Sequence, residues 1–136
     1  MRFYVDEDLL GTGYSLMWAR RDVIVCGVPL ISEEIPRGTA DVEWIPKVAA
    51  HGWVAITGNE RIRSHPVESP VAVEAKLRAV CLHGGRGDLD SWERLSLLVR
   101  QFSRIESFMA RHPTGPWWLS LTPSGAHELA YAALST

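Results

Sequence analysis

Long apolar runs are missing from this 136-residue chain. None approaches the roughly 20 residues a helix needs to cross a bilayer, so no membrane span is expected. Cysteine is scarce: Cys26 and Cys81 stand alone, far apart, each in an apolar run. That spacing excludes a C-x-x-C redox or zinc motif and leaves two buried thiols as the ordinary expectation. Lysine is nearly absent, with two against twelve arginines, and the formal net charge is only −2. So small a charge argues against indiscriminate attraction to nucleic acid, yet it leaves a local basic patch open. Internal repeats and low-complexity tracts are lacking. An acid arrives as early as Asp6, too soon for a secretion signal, and a cytoplasmic location is expected.

What is present is ordinary for a globular protein: 46% hydrophobic and 22% charged residues. The composition and length fit one domain over residues 1–136 with its own core. Short β-branched and aromatic runs predict strands at Phe3–Val5, Val23–Cys26, Trp53–Thr57, Val80–His83 and Trp117–Leu121. Apolar spacings of three and four predict helices over Leu9–Arg21, from Thr39 or Asp41 to Gly52, over Val71–Ala79, and most clearly over Trp92–Met109. Asp90, or Ser91, is expected to cap the last of these. Pro46 would kink the second or delay its start. The tail Ala126–Leu134 reads as a short helix, and Trp117 and Trp118 as one inward and one outward side chain. Strands alternating with helices imply an α/β fold with a mainly parallel sheet covered on both faces.

Chemistry gathers where strands end. Phe3-Tyr4-Val5 runs straight into Asp6-Glu7-Asp8, and the third strand runs into Thr57-Gly58-Asn59-Glu60. In open parallel sheets ligands bind at the carboxyl ends of the strands. Asp6, Asp41 and the Asn59/Glu60 pair are therefore expected to converge there. Carboxylates with an amide or a further acid make a hard oxygen cage suited to Mg²⁺ or Mn²⁺. Such ions activate water and stabilise phosphodiester transition states. Asp41 has an ordinary reading as a helix cap, Asn59 as a turn residue, and Glu60 as an exposed acid at a helix start. Glu7 and Asp8 are expected to point away from Asp6, as solvated or supporting acids and not direct ligands. Arg61 and Arg63, with His65, form a basic cluster whose forks match phosphate. Gly84-Gly85-Arg86-Gly87 lacks the Lys-Ser/Thr end of a phosphate loop and reads as a connector.

These residues resemble a known family. The opening FYVDEDL (3–9) and GTADVEWIPKVAAHGWVAITGNERIR (38–63), with the strand–helix order between them, are similar to PIN domains. More narrowly, they resemble the compact PIN-like proteins related to VapC toxins of bacterial toxin–antitoxin pairs. The likeness rests on the first half of the chain. It implies a three-layer α/β/α fold and a Mg²⁺- or Mn²⁺-dependent ribonuclease, held in check by a small antitoxin protein. By position it makes Asp6, Asp41 and Asn59 the metal ligands, with Glu60 completing the catalytic set. Thr57, Arg61 and Arg63 would engage the RNA substrate. Asn59 departs from the family's Thr-x-Asp and removes one charge from the cage. Glu74 and Glu106 are candidates for a fourth acid. A PIN-like module that binds RNA or protein without cutting is the alternative. A homodimer through an exposed helix face is a further expectation. A response-regulator-like domain would need a lysine after a later strand, and neither Lys47 nor Lys76 lies there.

Overall fold

The computed structural model describes residues 2–82 and 89–134. Six strands form one sheet: β1 (Phe3–Val5), β2 (Val23–Val25), β3 (Val54–Thr57), β4 (Arg78–Leu82), β5 (Trp117–Thr122) and β6 (Gly125–Leu129). Their order across the sheet is β2-β1-β3-β4-β5-β6. All neighbours are parallel except β5 and β6, which form an antiparallel hairpin. The helices are α1 (Leu10–Ala19), α2 (Asp41–Ala50), α3 (Arg61–Ser64), α4 (Glu68–Ala75) and α5 (Ser91–Arg111), with 3₁₀ turns at Glu7–Leu9 and Ala132–Leu134.

Side-chain alternation along each strand supplies two cores, one on each face of the sheet. Phe3 and Val5 of β1, with Val54, Ile56, Val80 and Leu119, meet Leu16 of α1 and Leu98, Phe102 and Ile105 of α5. Tyr4, Ala55, Ala79 and Trp118 face the other way, onto Trp44, Ile45 and Val48 of α2, Ile62 of α3 and Ala72 of α4. The result is the three-layer α/β/α arrangement expected from the order of elements. α1 comes unusually close to the sheet at Gly13, where a Cβ would lie 2.9 Å from Val5 Cγ1 and 3.1 Å from Val25 Cγ2.

Several expectations change. Trp117 and Trp118 are both buried, because helices cover both faces of β5. The tail does not form the expected helix: residues 125–129 add β6 to the edge of the sheet, and only Ala132–Leu134 coils. The fourth helix lies earlier than its apolar spacing suggests and is closed by Lys76 in the left-handed region, with φ 59°. Arg61–Ser64, where no helix was expected, forms a single helical turn. Trp18, assigned to the apolar face of α1, is 88% exposed. α2 starts at Asp41, so Pro46 sits in its second turn and is tolerated on the exposed side. Asp90 caps α5 as expected and does so reciprocally, accepting from the Glu93 amide while Glu93 accepts from its own. Cys26 and Cys81 are buried free thiols. The Gly84–Gly87 connector lies outside the described residues, as does His83.

Candidate active site

β1 and β3 are parallel neighbours, so both release their chains at the same edge of the sheet. Asp6 continues the ladder for one residue by donating its amide to Ile56 O at 2.9 Å. The chain then turns into the 3₁₀ segment, which Asp6 caps by accepting from the Glu7 amide at 2.7 Å through Oδ1. The other oxygen, Oδ2, accepts from the Thr57 hydroxyl at 2.9 Å. Asp6 is only 6% exposed.

The 3₁₀ turn also corrects the reading of Asp8. Expected to turn away from Asp6, Asp8 is instead carried over β3, because the strand ends at Val5 and a 3₁₀ turn follows. There its carboxylate accepts from the Gly58 amide at 3.1 Å. Gly58 makes this approach possible: a Cβ there would stand 3.0 Å from Asp8 Oδ2 and 3.3 Å from Leu9 Cδ2. Glu7 does turn away, accepting from the Gly38 amide at 2.7 Å and tying the 29–38 loop to the site.

Asp41 is the first residue of α2, and the cap position belongs to Ala40, which makes no side-chain capping bond. The Asp41 carboxylate is therefore not consumed as a cap. It accepts from Trp44 Nε1 and from Asn59 Nδ2, both at 2.9 Å. Asn59 in turn donates its amide to Thr57 Oγ1 at 3.0 Å. A continuous hydrogen-bonded path thus runs Asp6–Thr57–Asn59–Asp41, joining residues brought from opposite layers.

The electrostatics follow from this crowding. Burial is the main cause that lifts the Asp6 pKa from 3.8 to about 7; the Asp8 charge adds to it, the Thr57 bond opposes it, and Asp41 raises it further. Asp8 is also raised, chiefly by desolvation; the Gly58 amide and the positive charge of Arg94 on α5 oppose the rise. Each carboxylate opposes ionisation of its neighbours, since like charges disfavour the charged form.

Of the remaining expected residues, Thr57 and Asn59 support the acids and the others turn to different partners. Thr57 is fully buried, so its hydroxyl serves Asp6 and cannot touch a substrate. Asn59 points its amide nitrogen at Asp41, and its Oδ1 accepts from the Arg61 amide at 3.1 Å. Glu60 faces Arg63 Nε at 2.6 Å and the Cys81 thiol at 3.8 Å. Arg63 also donates to Ala130 O at 3.0 Å, and His65 turns to Glu68 at 2.6 Å. Arg61 alone of the basic cluster is exposed. Glu106 pairs with Arg2 at 2.8 Å, in contact with neither Asp6 nor Asp8, and Glu74 is exposed on α4. Sequence reasoning missed two participants. Asp8 was legible from the turn that Asp6 caps; Arg94 carried no local signal, because only the packing of α5 beside α1 brings it near.

The donor chemistry suits a hard cation. Two coupled carboxylates, Asp6 and Asp8, face a third acid, with no sulfur or imidazole among them. Among the described residues no three His, Cys, Asp or Glu side chains are gathered closely enough to hold a metal ion by themselves. A carboxylate pair is nevertheless the usual protein share of a Mg²⁺ site, the rest coming from water and substrate phosphate.

Buried Asp6 with Asp8 beside it, at the carboxyl edge of a parallel sheet inside three α/β/α layers, defines the class of protein. The family model for a PIN-like domain matches residues 1–84, and the chain belongs to that family. No curated protein and no solved structure matches it.

Proposed function

We propose that the protein is a Mg²⁺- or Mn²⁺-dependent endoribonuclease of the PIN type, acting at the Asp6–Asp8–Asp41 centre. The observation that carries this reading is geometric: Asp6 and Asp8 lie at one strand end, and the Thr57–Asn59 hydrogen bonds join Asp6 to Asp41, a gathering of acids that a cation would relieve. Asp6 and Asp8 would hold the ion, and Asp41 would complete its surroundings from the other layer. When bound, the ion would supply water activation and charge neutralisation at the phosphoryl oxygens. The chain's own residues do the positioning. Thr57 fixes the rotamer of Asp6, Trp44 and Asn59 fix Asp41, and Arg94 balances Asp8. Exposed Arg61 offers its fork to a backbone phosphate beside the centre.

The VapC-like resemblance adds that such an enzyme acts as the toxin of a toxin–antitoxin pair, restrained by a small partner protein. The Asn59 bond to Asp41 favours a second reading, a PIN-like module that binds RNA without cutting it, since an amide stands where the family pattern has a further acid. RNA cleavage by the purified protein with Mn²⁺ or Mg²⁺ separates the two. The nuclease reading expects cleavage that falls at least about 100-fold in Asp6→Asn, the scale typical of losing a group that stabilises the transition state. Equal rates in both proteins, or none with either metal, would overturn it.

A further inference from the structure

The C-terminal part of the chain, beyond the residues matched by the family model, builds a feature unrelated to the acid centre. At 3.6 residues per turn, Arg100, Arg104 and Arg111 fall within about 40° of one another on α5. They look across to the β5–β6 hairpin. Between helix and hairpin lies a groove of about 290 Å³, lined by Arg104, Ser107, Arg111, Phe108, Ala126 and Glu128. A second groove of about 180 Å³ continues it past Arg104 to Arg100, Ser124 and Gly125. The Arg104 guanidinium lies over Gly125, with Nη1 3.1 Å from where a Cβ would stand.

The groove arginines are not held in ion pairs and outnumber the acid that lines it. Among the described residues, ion pairs engage Arg2, Arg20 and Arg63, whereas Arg100, Arg104 and Arg111 make none. Glu128 is the acid facing them, and exposed His127 neighbours the Gly125 end. Hydroxyls and arginine forks above an apolar floor match a chain of phosphates bearing planar bases. The chain's small net charge conceals this local concentration. β5 is parallel to β4 and β4 to β3, so the hairpin end of the groove opens at the same sheet edge as Asp6.

We propose that the groove between α5 and β6 binds the phosphodiester backbone of single-stranded RNA, leading it toward the edge that carries the acid centre. The choice of RNA rests on the nuclease reading; the binding itself can be measured without catalysis. The probe is a fluorescently labelled single-stranded RNA oligonucleotide, titrated with the full chain in EDTA over a series of salt concentrations. Three phosphate contacts on a single strand contribute about 2 to the slope of log K against log salt, at roughly 0.7 each. The R100Q/R104Q/R111Q variant is expected to lose that slope and at least about tenfold in affinity at low salt. The triple lysine variant should recover most of the slope. All three sites are exposed, so unchanged thermal unfolding of both variants is expected. Equal slope and affinity in wild type and the glutamine variant would overturn the proposal. So would loss of polyglutamate binding with RNA binding intact, which would assign the groove to an acidic polypeptide. The two readings fail separately: salt-dependent binding without cleavage leaves the groove standing, and cleavage unaffected by the triple variant removes it.

Discussion

Asp6 sits where a carboxylate is costly: buried, beside two other acids, and held by a single neutral hydroxyl and one amide. Its raised pKa has a definite consequence for stability. Between 3.8 and about 7 the folded chain retains a proton that the unfolded chain has released. The stabilisation from protonated Asp6 is complete below the lower value and lost as pH rises through the upper one. In EDTA, the melting temperature of wild type relative to Asp6→Asn should therefore fall as pH is raised from about 4 to about 7. Mn²⁺ added at neutral pH should recover the difference for wild type only. A constant difference across that range would show that Asp6 ionises normally.

At the scale of elements, the turn after β1 decides the site. Asp6 caps a 3₁₀ segment, and this brings Asp8 over Gly58. A methyl group on Gly58 would stand 3.0 Å from Asp8 Oδ2 and 3.3 Å from Leu9 Cδ2, so both must give way to admit it. Gly58→Ala should displace the Asp8 carboxylate and weaken Mn²⁺ binding by about tenfold or more, by analogy with the loss of supporting partners at metal sites. Calorimetric titration would check this, with thermal melting as the control for folding; unchanged affinity would remove Asp8 from the site. The sequence displayed the pieces but not the arrangement. Asp90 was legible as the cap of α5 from its residue type, whereas the reciprocal bond from Glu93 appears only in the structure. Asp8, expected to turn away from Asp6, lies over β3 because the strand stops at Val5 and a 3₁₀ turn takes over. Asp41, open to a capping role by residue type, proved free of one because Ala40 holds that position.

At the scale of the molecule, the family match and the folding unit differ in extent. Residues 1–84 carry the acids. Yet the face of the sheet formed by Val5, Ile56 and Val80 is covered by Leu98, Phe102 and Ile105 of α5, and β4 is paired with β5. A fragment of residues 1–84 would expose that face and leave a parallel edge unpaired. It should show no cooperative thermal transition, measured by circular dichroism, while the full chain does. A sharp transition in the fragment would mean that the second half is dispensable for folding. Among the described residues no helix is long and apolar enough to cross a membrane, in line with the absence of long apolar runs in the sequence.

Period-two and period-three-to-four patterns are local, so the sequence by itself determined the alternation of strands and helices, the covered parallel sheet and the early acid at a strand end. Whatever depended on pairing across the chain was decided by tertiary structure. Trp118 is buried because helices lie on the second face, residues 125–129 are extended because β5 offers an open edge, and the Arg94 charge acts on Asp8 because α5 packs against α1. A side chain's neighbours in sequence fix its direction within an element; only the approach of distant elements fixes what it meets there.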